Sequence, residues 1–156
     1  MLALPSRFAL FSAAAVIVAI SGAALVWDGP AASYWSAGGV VAEYRSEAGR
    51  LQLAPGWRWP DDLPIDAGTP ETPMHYKKGF GTKMAEYRLF CSWATRATSE
   101  TPPAKARRGA LERLSAKMRD PAFLLFRDFP KWIVAKALRG ETLELRDYAS
   151  SNCGTP

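Results

Sequence analysis

FALFSAAAVIVAISGAALVW, running from Phe8 to Trp27, is twenty residues long and carries no charge. At a helical rise of about 1.5 Å per residue it covers roughly the 30 Å of a bilayer's hydrocarbon core. Only Ser12, Ser21 and Gly22 interrupt its apolar side chains. A helix here is apolar on every side, and a chain of 156 residues supplies little protein shell to bury it. The stretch predicts a membrane span and divides the chain into an N-terminal segment, 1–27, and a remainder, 28–156. Arg7 precedes the run, Asp28 follows it, and the next cation is Arg45. The positive-inside rule then leaves the N-terminus in the cytoplasm and delivers 28–156 to the far side of the cell membrane.

The same residues also read as a secretory signal. Phe8 to Ile20 forms an apolar core, and Ser21-Gly22-Ala23 offers small residues for cleavage after Ala23 or Ala24. Leu25, Val26 and Trp27 extend the apolar run past that site, and a terminal Trp suits the headgroup interface, which favours a retained anchor. On either reading, single-pass or secreted, the remainder is extracytoplasmic. The first cysteine is Cys91, too far along for a lipid attached at a cleavage site.

Export makes the two cysteines, Cys91 and Cys153, candidates for a disulfide, because an oxidising compartment permits the bond. Closing a loop of about 63 residues stabilises a fold by roughly 4 kcal/mol in the chain-entropy model. The exported part has room for one modest domain. The net charge of +5 is uneven: Lys105 to Arg119 holds six basic residues against Glu112, while Asp61 to Glu71 holds four acids and no base. A basic helix can face anionic lipid or acidic wall polymer, although a solvated face is the commoner role. Export argues against nucleic acid.

Periodicity predicts an all-α exterior. Ser33 is read as the cap of a helix carrying Tyr34, Trp35, Val40, Val41 and Tyr44 to about Ala48, with Gly49 as its stop. Residues 50–81 show no sustained period and are punctuated by Pro and Gly, which predicts one long irregular loop, either a binding lid or a disordered excursion. Thr82 or Lys83 opens a helix with Met84, Tyr87, Cys91 and Ala94 on one face, flanked by Phe90 and Trp93. Thr101-Pro102-Pro103 restarts a basic helix with an apolar stripe of Leu111, Leu114 and Met118. Asp120-Pro121 starts a short apolar turn, Phe123 to Phe126. After Phe129-Pro130 a single helix is expected through Val134, Leu138, Leu145 and Tyr148 to about Ala149, with Gly140 tolerated inside it. No strand is expected. The tetrapeptide Ala-Glu-Tyr-Arg occurs at Ala42 to Arg45 and again at Ala85 to Arg88, and reads as matching helix-surface chemistry.

No residue pattern defines a reaction, and the expectation is a protein that is not an enzyme and holds no cofactor. His75 is the single imidazole, and no Gly-x-Ser-x-Gly elbow accompanies it. An envelope enzyme would need a cleft joining His75 to Asp61, Asp62 or Asp66. Two cysteines and one histidine have no metal-ligand spacing. Gly79-Phe80-Gly81-Thr82-Lys83 lacks the order of a phosphate loop and reads as a turn. Trp57 and Trp59, two apart, share one side of an extended backbone and either anchor the loop or form a platform for sugar rings. With His75, Tyr76, Lys77 and Lys78 they make the candidate ligand-binding set, a surface that Phe80 can complete.

The stretches Leu53 to Pro60, Gly79-Phe80-Gly81 and Phe90-Cys91-Ser92-Trp93 together resemble small single-pass proteins of high-GC actinobacteria. That resemblance implies an envelope location and carries no activity. Two functions follow as expectations: a membrane-tethered helical module binding an envelope protein partner, or an exported domain holding an anionic glycan or lipid on the loop from Trp57 to Lys83.

Overall fold

Six consecutive residues, Leu89 to Ala94, are buried, which a helix packed on one face alone cannot achieve. They belong to α2 (Phe80–Thr98), and the rest of the fold surrounds that helix. The structure, a computed structural model, describes residues 34–125 and 131–154. The apolar run 8–27 with its anchor and cleavage readings, the break at Asp28-Gly29-Pro30, the Ser33 cap and the stretch from Phe126 to Pro130 lie outside the described residues. Among the described residues no helix is long and apolar enough to cross a membrane.

The described chain is mostly helical. α1 (Ala37–Ala48) packs along α2, α3 (Ala104–Met118) and α5 (Leu143–Asn152) cover other sides, and α4 (Trp132–Leu138) bridges α3 and α5. The larger core joins Leu89, Phe90 and Trp93 to Leu114, Val134 and Leu145 from three other helices. A smaller one gathers Tyr44, Ala48 and Ala85 between α1 and α2. Each large apolar side chain so enclosed contributes about 1.5–3 kcal/mol. The expected face of α2 is rotated: Ala85 and Leu89 are buried where Met84 and Tyr87 are half-buried.

Several expected boundaries move, each for a local reason. α1 is capped by Ser36, whose hydroxyl accepts from Gly39 N at 3.4 Å, and the preceding Tyr34 and Trp35 are not helical. They form β1 (Tyr34–Trp35), paired antiparallel with β2 (Tyr76–Lys77), so the expectation of no strand is corrected. α2 starts at Phe80, before Thr82: left-handed Gly79 precedes it, the Glu43 carboxylate of α1 accepts from Gly79 N and Gly81 N, and Gly81 is where the two helices touch. A Cβ on Gly81 would sit 2.1 Å from Val40 O. α3 follows Pro103 with no side-chain cap, so Thr101 does not play that part. The single helix expected from Val134 to Ala149 is two helices. Gly140 has φ +100°, a conformation that terminates a helix, and Glu141 N closes the turn on Lys136 O at 3.1 Å.

The first part of the irregular segment is a packed strap. Ala54 and Trp57 are buried in the larger core. Ala54 N donates to Ser92 Oγ at 3.1 Å, Trp93 Nε1 donates to Gln52 O at 2.9 Å, and Arg88 Nη2 donates to Arg58 O at 3.1 Å. Beyond Pro60 the segment is mostly exposed and turns back at an isolated bridge between Gly68 and Pro73.

The Cys91–Cys153 disulfide is formed, with Cα atoms 5.2 Å apart, and ties the centre of α2 to the end of α5. Glu86, 1% exposed, provides a second tie. Its carboxylate accepts from the backbone N–H groups of Leu124 and Leu125, fixing the connection that follows α3. Burial pushes the Glu86 carboxyl above its ordinary pKa, and the two amide donors pull partly back.

Candidate functional site

The two-residue ladder sets the site. Trp35 lies opposite Tyr76, and Tyr34 opposite Lys77, so each pair shares a face of the ribbon. Tyr76 stacks on Phe80 with ring centroids 5.2 Å apart, and its hydroxyl donates to Asp66 O at 2.6 Å. Lys78 Nζ stands 5.0 Å from the Trp35 ring, a cation–π contact. Tyr34, Trp35, Met74 and Phe80 remain between 36% and 45% exposed. Trp35, Tyr76 and Phe80 are thus gathered with Lys78 on one face of this corner, and Tyr34 with Lys77 lies on the other.

Glu43 of α1 holds this corner in place. Its two carboxylate oxygens accept from Gly79 N at 2.8 and 3.0 Å and from Gly81 N at 3.2 Å, and Trp35 Nε1 donates to the same group. The amides at the start of α2 that an external phosphate would need are therefore taken by the chain's own carboxylate. That is the physical reason Gly79 to Lys83 is not a phosphate loop. Both copies of Ala-Glu-Tyr-Arg behave alike: Glu43 and Glu86 each capture backbone N–H groups of a distant segment, rather than serving as helix-surface residues.

The other expected site residues divide. Tyr76, Lys77 and Lys78 lie in the corner, and His75 is exposed beside it. Trp57 is buried under the Arg88 guanidinium, 4.4 Å from its ring. Trp59 packs edge-on to Tyr44 at 5.8 Å. The two indoles join different core clusters, which is the loop-anchoring role. The Tyr44 hydroxyl has no hydrogen-bond partner among the described residues, and burial raises its pKa. Phe80 was among the expected site residues; Tyr34, Trp35 and Met74 were not. Adjacent aromatics just after Ser33 look like a helical start, and only the cross-strand register shows that they meet Tyr76 and Lys77.

Asp61, Asp62 and Asp66 are exposed, and Asp66 is engaged as a turn acceptor for Gly68 N at 2.8 Å. Among the described residues no three His, Cys, Asp or Glu side chains are grouped so as to hold a metal ion. The chain matches no family model, no curated protein and no solved structure.

Proposed function

We propose that this chain is a membrane-tethered, non-enzymatic helical module of the bacterial cell envelope, and that its ribbon corner rests on an anionic lipid interface. The observation that carries the reading is the ribbon face on which exposed Trp35 and Phe80 lie with Tyr76 beside Lys78, backed by exposed Tyr34 and Lys77 on the other face of the same two-stranded ribbon. Amphipathic aromatics favour the headgroup level, and each lysine near an anionic surface contributes about 1 kcal/mol. The position supports it as well. Trp27 and Tyr34 are seven residues apart in sequence, and chain reach alone keeps the corner within about 25 Å of the end of the apolar run whatever path joins them. The solvent exposure of His75, Asp61, Asp62 and Asp66 supports a binding role over catalysis.

The test is amine labelling of the full chain in nanodiscs, read residue by residue by mass spectrometry. Lys77 and Lys78 should be protected in phosphatidylglycerol discs relative to phosphatidylcholine discs, and the protection should weaken at high salt. Lys105 on α3 is the internal control. Equal labelling of Lys77 and Lys78 in both discs removes the lipid reading and returns the corner to a protein partner. Intact mass of the protein recovered from membranes decides whether residues 8–27 are retained.

A further inference from the structure

A second surface, made by other residues, has a different chemistry. The strap, α2 and α3 enclose a half-open cavity of about 450 Å³, within the usual range of small-molecule sites. Its floor is Leu51, Leu89, Trp93 and Leu114. Leu89 and Leu114 are only 3% and 1% exposed, so the apolar surface open to a ligand comes mainly from half-buried Leu51 and the edge of Trp93, whose indole N–H is already satisfied by Gln52 O. Arg50, Arg113 and Lys117 line the rim, and Asp120 is the one acid there.

The three cations are not equally engaged. Arg50 pairs with Glu47 at 3.2 Å, and Lys117 reaches Asp120 at 3.9 Å. Arg113 lies over the Trp93 ring at 4.9 Å and makes no ion pair among the described residues. This cation–π contact holds the guanidinium at the mouth of an apolar trough without an anionic partner among the described residues. A planar carboxylate matches that fork in bidentate fashion. A glycan or a peptide would leave hydroxyls or amides unpaired against leucine, a cost that an alkyl chain avoids.

We propose that this groove binds a single-chain fatty acid, with the alkyl chain against Leu51 and the edge of Trp93, above buried Leu89 and Leu114, and the carboxylate on Arg113. Lys117 adds positive potential at the same mouth. The site is independent of the ribbon corner, so either surface can fail without the other.

A palmitic acid analogue carrying a diazirine, offered to the full chain in phosphatidylcholine nanodiscs, tests the assignment. Photolysis should place cross-links on the peptides containing Leu51, Leu89 and Leu114. The yield should fall about tenfold or more for the methyl ester and for Arg113→Glu, the scale of losing a charge-assisted hydrogen bond. Far-UV circular dichroism and an intact Cys91–Cys153 bond confirm that the variant is folded, and Arg113→Gln replaces it if it is not. Equal yields for acid and ester, an undiminished yield in the folded variant, or cross-links confined to residues 8–27 overturn the proposal. A lysophospholipid that displaces the acid at equal concentration overturns the choice of carboxylate.

Discussion

Replacing Glu43 by Gln removes a charge and turns one of two acceptor oxygens into a donor, at a point where three N–H groups converge. Gly79 N and Gly81 N lie 2.8 to 3.2 Å from the carboxylate, and the Trp35 indole completes the set. Hydrogen bonds to a charged group contribute about 1.5–3 kcal/mol each, and a negative charge at a helix N-terminus adds about 0.3–1 kcal/mol. The side chain is half-buried and glutamine keeps one acceptor, so the lower part of each range applies, giving a loss of about 2–3 kcal/mol. Against a typical stability of about 5–15 kcal/mol this is large. Urea unfolding of the full chain in a zwitterionic detergent, followed by far-UV circular dichroism, should show a midpoint lowered by about 1–2 M. Amide exchange at Gly79 and Gly81 should accelerate in parallel, ahead of Leu89 in the core. A midpoint within experimental scatter of the parent, with Gly79 and Gly81 as protected as before, would refute the role given to Glu43.

Reducing the Cys91–Cys153 bond should cost about 4 kcal/mol in the same unfolding assay, because its two ends are 62 residues apart; a shift below about 1 kcal/mol would mean that packing alone holds the C-terminus. Glu86 predicts a slope with pH. Its folded pKa lies above the ordinary carboxylate value, so the folded protein holds a proton that the unfolded chain releases first. Stability that is fully present below the unfolded pKa is therefore lost as pH rises through the folded value. Glu86→Gln should flatten that part of the urea-midpoint profile while itself costing about 1–3 kcal/mol, since one amide of Leu124 or Leu125 then faces an NH₂.

Long, periodic elements were legible in the sequence and single-residue punctuation was less so. The stripe of Leu111, Leu114 and Met118 is buried in α3 as its spacing implies. Gly140 was ambiguous, because glycine inside a helix and glycine ending one look alike until φ is known. The ribbon was beyond reach, since two residues per strand cannot display alternation. Glu43 and Glu86 were hidden for another reason. A glutamate among alanines and arginines reads as solvated, and only the approach of a distant backbone makes it an internal acceptor. Within the corner, Tyr76, Lys77, Lys78 and Phe80 were legible because they lie within five residues of one another, while Trp35 joins them only through strand pairing.

The covalent link between α2 and the end of α5 also decides how tension would travel through the molecule. A pull on the C-terminal end against a fixed N-terminal end passes along α1, the strap and half of α2, then crosses from Cys91 directly to Cys153. α3, α4 and everything else in that closed ring are mechanically bypassed. Stretching such a molecule between its two ends should release only the length stored before Cys91, and adding a reductant should lengthen the extension by the contour of the 62-residue separation.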